Sequence, residues 1–362
     1  MKAVIFREAH QPLQIESVEL DGPAEHEVLV RTKATGVCHS DLHFVDGDLS
    51  TGGRAMAMGH EGSGVVEAVG SAVTEFSPGD HVVSCLSGFC GTCPQCLSGH
   101  PNVCATRYTS RPRGATPRIT LDGEPLIQFA DLATFAEQML VHENSLVRID
   151  PDLPFDVAAL MGCGVLTGLG AALRTAGLEA GQTVAVFGCG GVGLSIIQGA
   201  FIGGAGRIIA VDQFETKLDM AKAAGATDTI DASAGDAVAQ LRELTGGAGV
   251  DHAFEAVGVP AVIRQAIESL GIRGTATIVG VTPTGATLEF PLDAIRPECK
   301  IQTSRMGSNR FRTDIPMYLD FYRQGRLNLD DMVTRRGRLE DIDEAFRAMK
   351  AGEVARTVLT FD

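Results

Sequence analysis

Four cysteines of the 362-residue chain, Cys90, Cys93, Cys96 and Cys104, stand in the pattern C-x2-C-x2-C-x7-C among Gly91, Pro94, Gly99 and Pro101. Four thiolates on tight turns close a tetrahedral shell around Zn2+ and leave no position for water, so the expected role is structural. An iron–sulfur cluster or a nucleic-acid-binding zinc ribbon would use the same ligands. A second set is scattered along the chain: Cys38-His39-Ser40-Asp41, Gly59-His60-Glu61 and Gly162-Cys163-Gly164. One imidazole and two thiolates hold Zn2+ with a fourth position open, the arrangement of a catalytic site. Zinc held this way polarises a bound oxygen and lowers its pKa, so an alcohol can be kept as alkoxide near neutral pH. Taken singly, Cys163 between glycines is more often a small buried hydrophobe, and a lone His60 a hydrogen-bonded structural residue.

A third pattern binds nucleotides. The apolar run TVAVF leads into Gly188-Cys189-Gly190-Gly191-Val192-Gly193 and then LSIIQGAF, while Asp212 ends the next apolar run, RIIAVD. Gly188, Gly190 and Gly193 satisfy G-x-G-x-x-G between a strand and a helix. Such glycines let backbone and helix N-terminus approach a pyrophosphate, and the acid accepts the adenosine ribose hydroxyls. A carboxylate at position 212 repels a 2′-phosphate, which favours NAD over NADP.

The elements that must carry these residues fall into two patterns. From residue 1 to about 90, short β-rich runs (KAVIF, LQIESVEL, EVLVRTKATGV, GSGVVEAVG, DHVVSC) are punctuated by Gly, Pro and Asp, as in an antiparallel, barrel-like domain. From about residue 183, apolar strands (TVAVF, RIIAVD, DTID, DHAFEAVG, TATIVGV) alternate with helical stretches such as FETKLDMAKAAG and PAVIRQAIESL. That alternation predicts a doubly wound parallel sheet covered on both faces. The tail after residue 306 reads as two helices and the strand RTVLTF, too little for a core of its own, so it is expected to return to the first domain. The expected boundaries are 1–164, with a cysteine lobe at about 86–105, then 165–305, and 306–362.

Composition narrows the function classes. With 30 basic and 45 acidic residues the net charge is −15, which opposes a nucleic-acid backbone and weakens the zinc-ribbon reading. Nine cysteines are too sparse for a disulfide scaffold, and five of them lie between Cys85 and Cys104, which suits a metal site in a reducing compartment. The N-terminus MKAVIFREAHQ lacks the long apolar stretch of a signal peptide, so a cytoplasmic protein is expected. Thr183 to Gly206 is uncharged but carries eight glycines and Gln198, which argues against a membrane span.

These constellations, in this order, resemble the zinc-dependent alcohol dehydrogenases of the medium-chain dehydrogenase/reductase superfamily. Gly59-His60-Glu61-Gly62-Ser63-Gly64 through Gly70 is similar to that family's zinc signature, and the resemblance covers essentially the whole chain. It implies an α/β protein with a GroES-like β-rich catalytic domain, an inserted Rossmann domain and a C-terminal return. It also implies two Zn2+ per chain: a catalytic ion on Cys38, His60 and Cys163, and a structural ion on Cys90, Cys93, Cys96 and Cys104. Cys163 as third ligand, where the polyol branch has Glu, resembles the classical and glutathione-dependent enzymes, as does SRPRGATPRITLDGEPLIQFADLATFAE from Ser110. Ser40 matches the hydroxyl that takes the alcohol proton, and His43 the imidazole that passes it to solvent through the cofactor ribose. Asp41 and Glu61 match acids that orient the ligands; Arg356 resembles a pyrophosphate-binding arginine and Lys217 a lysine near the adenosine ribose. His39 stands where an arginine often contacts the pyrophosphate, and a partly neutral group there holds phosphates less firmly.

The resemblance implies reversible, NAD-dependent oxidation of a primary or secondary alcohol by hydride transfer from a zinc-bound alkoxide, in a homodimer joined through the Rossmann sheets. VGVTPTGATLEFPL is apolar enough for such an edge and equally for burial within the subunit. The alternative is a formaldehyde dehydrogenase acting on the hydroxymethyl adduct of glutathione or mycothiol. Arg107, Arg111 and Arg113 could receive its carboxylates, although Tyr108 stands where the glutathione-dependent enzymes are expected to have an arginine. A more remote alternative is a non-catalytic zinc- and nucleotide-binding protein. Leu49, Leu86 and Phe129 are candidates for the substrate wall and equally for plain core.

Overall fold

The computed structural model describes residues 1–106, 109–112 and 114–362. It divides into two compact units: Met1–Cys163 with Arg310–Asp320 and Leu329–Asp362, and Gly164–Asn309 with Phe321–Asn328. The expected boundaries shift accordingly. The turn Met306–Ser308 stays with the second unit, where a Cβ on Gly170 would strike the Gly307 carbonyl. Residues 321–328 also rejoin it: Leu327 is buried, and Gln198 both donates to the Asn328 carbonyl (2.9 Å) and accepts from its N–H (2.7 Å).

The first unit is built on a seven-stranded sheet. Its path runs Leu146–Arg148, His81–Ser84, Glu61–Val69, Glu27–Gly36, Arg356–Thr360 and Val333–Gly337, with Gln138–His142 paired to Glu27–Gly36. The pairings are antiparallel except the last, in which Val333–Gly337 runs parallel to Arg356–Thr360. The long strand Glu27–Gly36 joins three neighbours because its side chains are almost all buried on both faces. The C-terminal return is fixed by apolar packing: Leu339, Ile342, Ala345, Phe346 and Leu359 share one core with Val4, Phe6, Val37, Leu42 and Phe135. Burial of such side chains stabilises by about 1.5–3 kcal/mol each.

The second unit holds six parallel strands in the order Asp228–Asp231, Arg207–Asp212, Thr183–Phe187, Val250–Glu255, Leu270–Ile278 and Lys300–Thr303. The order reverses direction beside Thr183–Phe187, the strand that feeds the glycine loop, and doubly wound sheets bind ligands at such a reversal. Continuous apolar runs are used because helices cover both faces. The sixth strand, Lys300–Thr303, was not evident from sequence: KIQT has a polar residue on each side of Ile301, and its burial is slight. VGVTPTGATLEFPL forms irregular, mostly exposed backbone, and the sheet edge is Lys300–Thr303. Among the described residues no single helix is long and apolar enough to cross a membrane.

Candidate active site

Three separate elements deliver one buried cluster in the first unit. Cys38 caps the helix His39–Val45, His60 and Glu61 lie at the start of the strand Glu61–Val69, and Cys163 follows the turn Leu160–Gly162. One ligand atom from each of Cys38, His60, Glu61 and Cys163 lies within 4.8 Å of the others, and all four residues are buried. Two glycines permit this approach. A Cβ on Gly162 would sit 2.6 Å from the Ser84 carbonyl, and Gly59 adopts φ +90°, a left-handed conformation that favours glycine, beside the Phe135 backbone.

Asp41 orients the imidazole. Its Oδ1 accepts the Gly59 N–H (3.0 Å), and its Oδ2 lies 3.1 Å from His60 Nδ1. Nε2 of His60 is then left buried without a hydrogen-bond partner among the described residues, as expected of a nitrogen shaped for a metal. Burial raises the Asp41 pKa. His60 is raised above its ordinary range, since Asp41 and Cys38 favour its charged form more than burial opposes it. A hydrogen bond from Cys163 draws the Cys38 thiol below its ordinary range, and the Cys163 thiol rises in turn. Buried thiols around an unpartnered imidazole nitrogen suit Zn2+, which favours N/S ligands.

Glu61 lies deeper. Burial pushes its pKa up to about 7 even though Arg356 opposes the rise, and Arg356 NH2 donates to Glu61 Oε2. Arg356, expected on a pyrophosphate, is here 5% exposed and bonded to this carboxylate. The pair needs Gly36, whose Cβ would overlap Glu61 Oε2 and stand 3.1 Å from Arg356 NH2.

Ser40 lies next to the cluster, its Oγ 3.7 Å from Cys38 Sγ. His43, one turn along the helix, points Nδ1 to Asp48 Oδ2 at 2.8 Å. His39 is exposed. One neighbour escaped the sequence reading. Asp48 gave no signal beyond a carboxylate in a turn. Phe129, left undecided between wall and core, sets its ring edge-on to His60 with centroids 4.9 Å apart, and edge-on to Phe44 at 5.2 Å. The turn that delivers it holds Ala130, Asp131 and Ala133 at positive φ (56°, 60° and 58°). Ala-Asp-Leu-Ala contains no glycine to announce such strain. Leu49 is half-buried, and Leu86 packs partly buried against a second apolar core.

The cysteine lobe brings Cys90, Cys93, Cys96 and Cys104 together. Sulfur–sulfur separations are 3.5 Å for Cys93–Cys96 and 3.9 Å for both Cys90–Cys96 and Cys93–Cys104. A tetrahedron with Zn–S of about 2.3 Å has edges of about 3.8 Å. Backbone N–H groups of Cys90, Thr92 and Cys93 donate to sulfur at 3.3–3.4 Å, as metal-bound thiolates accept them. Bonds from Thr106 and Thr92 bring the Cys90 pKa down to about 5. Arg310 Nε donates to the Gly99 carbonyl (2.9 Å), tying the lobe to the helix Phe311–Arg323.

In the second unit, Gly188 (φ +91°) turns the chain from its strand, and the helix Gly191–Ile202 begins with Gly191, Val192 and Gly193. A Cβ on Gly193 would overlap the Gly188 carbonyl, whereas one on Gly190 would meet nothing within 4 Å. Gly193 therefore serves internal packing, and Gly190 leaves the open approach that a dinucleotide's phosphates require. Asp212 accepts N–H bonds from Cys189 (2.7 Å) and Phe214 (3.1 Å), bracing the loop. Lys217 extends over the Phe214 ring, 5.0 Å from its centroid.

Two family profiles match: alcohol dehydrogenase GroES-like domain over residues 24–151 and zinc-binding dehydrogenase over residues 191–322. An alcohol dehydrogenase class-3 of Cereibacter sphaeroides is 37% identical, with 99% of each chain covered. An S-(hydroxymethyl)glutathione dehydrogenase of Saccharomyces cerevisiae is also 37% identical, covering 99% of this chain and 96% of its own. The solved structure of benzyl alcohol dehydrogenase from Acinetobacter calcoaceticus superposes with a TM-score of 0.92 at 30% identity, over 100% of this chain and 99% of that one. Profiles over both units and relatives matched from end to end agree with the two cysteine clusters and the glycine loop: the chain belongs to the zinc-dependent alcohol dehydrogenase family of the medium-chain superfamily.

Proposed function

We propose that this oxidoreductase oxidises a primary or secondary alcohol reversibly, with NAD as hydride acceptor. The observation that carries the reading is the buried Cys38–His60–Cys163 cluster with an unpartnered imidazole nitrogen beside a serine hydroxyl. In the reaction the alcohol carbon loses hydride, the hydroxyl loses a proton, and an aldehyde or ketone forms. Zinc, when bound, would polarise the alcohol oxygen and lower its pKa, and NAD, when bound, would take the hydride.

The remaining chemistry belongs to the protein. Cys38, His60 and Cys163 hold the catalytic ion, while Asp41 fixes the ring and Glu61, with Arg356, supplies a buried countercharge. Ser40 receives the alcohol proton and His43 releases it to solvent. Cys90, Cys93, Cys96 and Cys104 hold a second ion that shapes their lobe. Gly188, Gly190, Gly191 and Val192 receive the pyrophosphate, with Gly193 packed beneath them, and Asp212 and Lys217 the adenosine ribose. Thiolate ligands suit the reducing cytoplasm. The exposed edge strand Lys300–Thr303, with Ile301 43% exposed, supports pairing with a second copy. No nucleic acid or membrane is expected as partner.

The name of the Saccharomyces cerevisiae relative, S-(hydroxymethyl)glutathione dehydrogenase, favours a second reading, oxidation of a hydroxymethyl–thiol adduct. Its anion receptor is weakened at one position: Arg111 already donates to Glu27 (2.9 and 2.6 Å), Asp21 (2.5 Å) and two carbonyls. Arg107, Tyr108 and Arg113 lie outside the described residues. The deciding experiment is NADH formation by zinc-replete protein on aliphatic, allylic and benzylic alcohols against hydroxymethyl-glutathione and hydroxymethyl-mycothiol, with NADP in parallel. Turnover of free alcohols with NAD is the expected result. Turnover confined to a thiol adduct would replace the leading reading with the second.

A further inference from the structure

We infer that Asp48 is a positioning residue for proton release: its carboxylate holds His43 in the Nδ1–H tautomer, so that Nε2 is the lone pair that accepts the proton. The inference rests on the function proposed above and deepens it.

Ionised carboxylates only accept hydrogen bonds, so the 2.8 Å contact requires His43 Nδ1 to carry the hydrogen. In water a neutral histidine side chain prefers the opposite tautomer, with hydrogen on Nε2. Without Asp48 the ring would therefore present its acceptor nitrogen on the wrong side. The local chain is folded to make the contact. The helix His39–Val45 ends with Asp46 N–H on the Leu42 carbonyl and Gly47 N–H on that of Phe44 (2.8 and 3.2 Å). Gly47 turns at φ +82°, and Leu49 N–H returns to the His43 carbonyl at 3.1 Å. This places Asp48 against the ring it follows by five residues. The loop's other carboxylate, Asp46, is paired with Lys350, leaving Asp48 to His43. The His43 side chain is 17% exposed and that of Asp48 36%, so the ring reaches solvent while Nδ1 stays bonded. In each turnover Nε2 gains one proton, the ring becomes imidazolium, and water removes that proton to restore the neutral ring; no electrons move in this step.

The test joins a spectroscopic and a kinetic readout on the full-length, zinc-replete protein. Imidazole 15N shifts assign the tautomer of neutral His43: Nδ1–H is expected in the parent and in Asp48→Glu, and predominantly Nε2–H in Asp48→Ala. Asp48→Ala should lower kcat/KM for the alcohol about tenfold, while adding less than about twofold in a His43→Ala background. An Nε2–H ring in the parent, or full additivity of the two substitutions, would overturn the role of Asp48. If the parent turns over no alcohol or thiol adduct, the function reading itself fails; an active parent whose Asp48→Ala variant keeps tautomer and rate discards Asp48 alone.

Discussion

The buried centre is an arrangement of residues with little room to move. Gly36 lies against the carboxylate of Glu61, and Glu61 neutralises an arginine that is itself enclosed. Adding one methyl group at Gly36 must displace Glu61 or Arg356, so Gly36→Ala should lose about 1–3 kcal/mol in urea unfolding. Stability within about 0.5 kcal/mol of the parent would show that the pair can shift freely. At this scale the sequence was legible where residue type is rare and spacing tight: two cysteines, one histidine and Asp41 were named, and the fold gathers them. It was silent where geometry alone confers the role. Nothing in VDGDLS marks Asp48 as the partner of His43, and nothing in FADLA announces the strained turn that sets Phe129 on His60. Arg356 is legible as an arginine worth noting, but not as one buried against a carboxylate, because its partner Glu61 is 295 residues away.

Two elements carry measurable consequences. The strand Gln138–His142 ends in a buried imidazole whose ring stacks on His26 and whose Nδ1 accepts the Asn144 N–H. Burial, then the charge of Arg118, pushes the His142 pKa from 6.5 down to about 4. Between those values the unfolded chain binds a proton that the folded chain refuses. This contribution to stability is therefore complete above pH 6.5 and lost as pH falls towards 4. The loss should be about 1–3 kcal/mol, and His142→Gln should lose that much less between pH 7 and pH 4.5 in urea titrations. An identical acid response would exclude His142 as its source. The cysteine lobe is the second element. Cys93→Ser should reduce bound zinc from two ions per chain to one, measured by elemental analysis, and lower the melting temperature by several degrees. Unchanged zinc content would remove the lobe's metal role. Elements with strong periodicity were read correctly, such as TVAVF and EVLVRTKATG, whereas the edge strand Lys300–Thr303 was missed because half-exposed strands lack an apolar signature.

At the scale of the whole molecule, the two patterns of the sequence become two units with different sheets, and the tail divides between them as single buried contacts dictate. The parallel sheet ends on Lys300–Thr303, whose outer edge has no neighbour among the described strands and whose inner partner, Leu270–Ile278, carries the exposed Ile272. Unpaired edges of this kind invite a second copy. Light scattering after size exclusion should give twice the 38.0 kDa chain mass, and Ile301→Lys should shift the protein towards monomer. A monomeric parent would contradict the proposed pairing. The proposed hydride transfer from an alcohol carbon to NAD at the Cys38–His60–Cys163 centre can be followed with an alcohol deuterated at its carbinol carbon. One deuterium in the reduced nicotinamide per turnover is expected with zinc-replete protein, none with Cys38→Ser although it still folds and binds NAD, and none after zinc is removed. Deuterium transfer that survives Cys38→Ser and zinc removal would contradict the proposal.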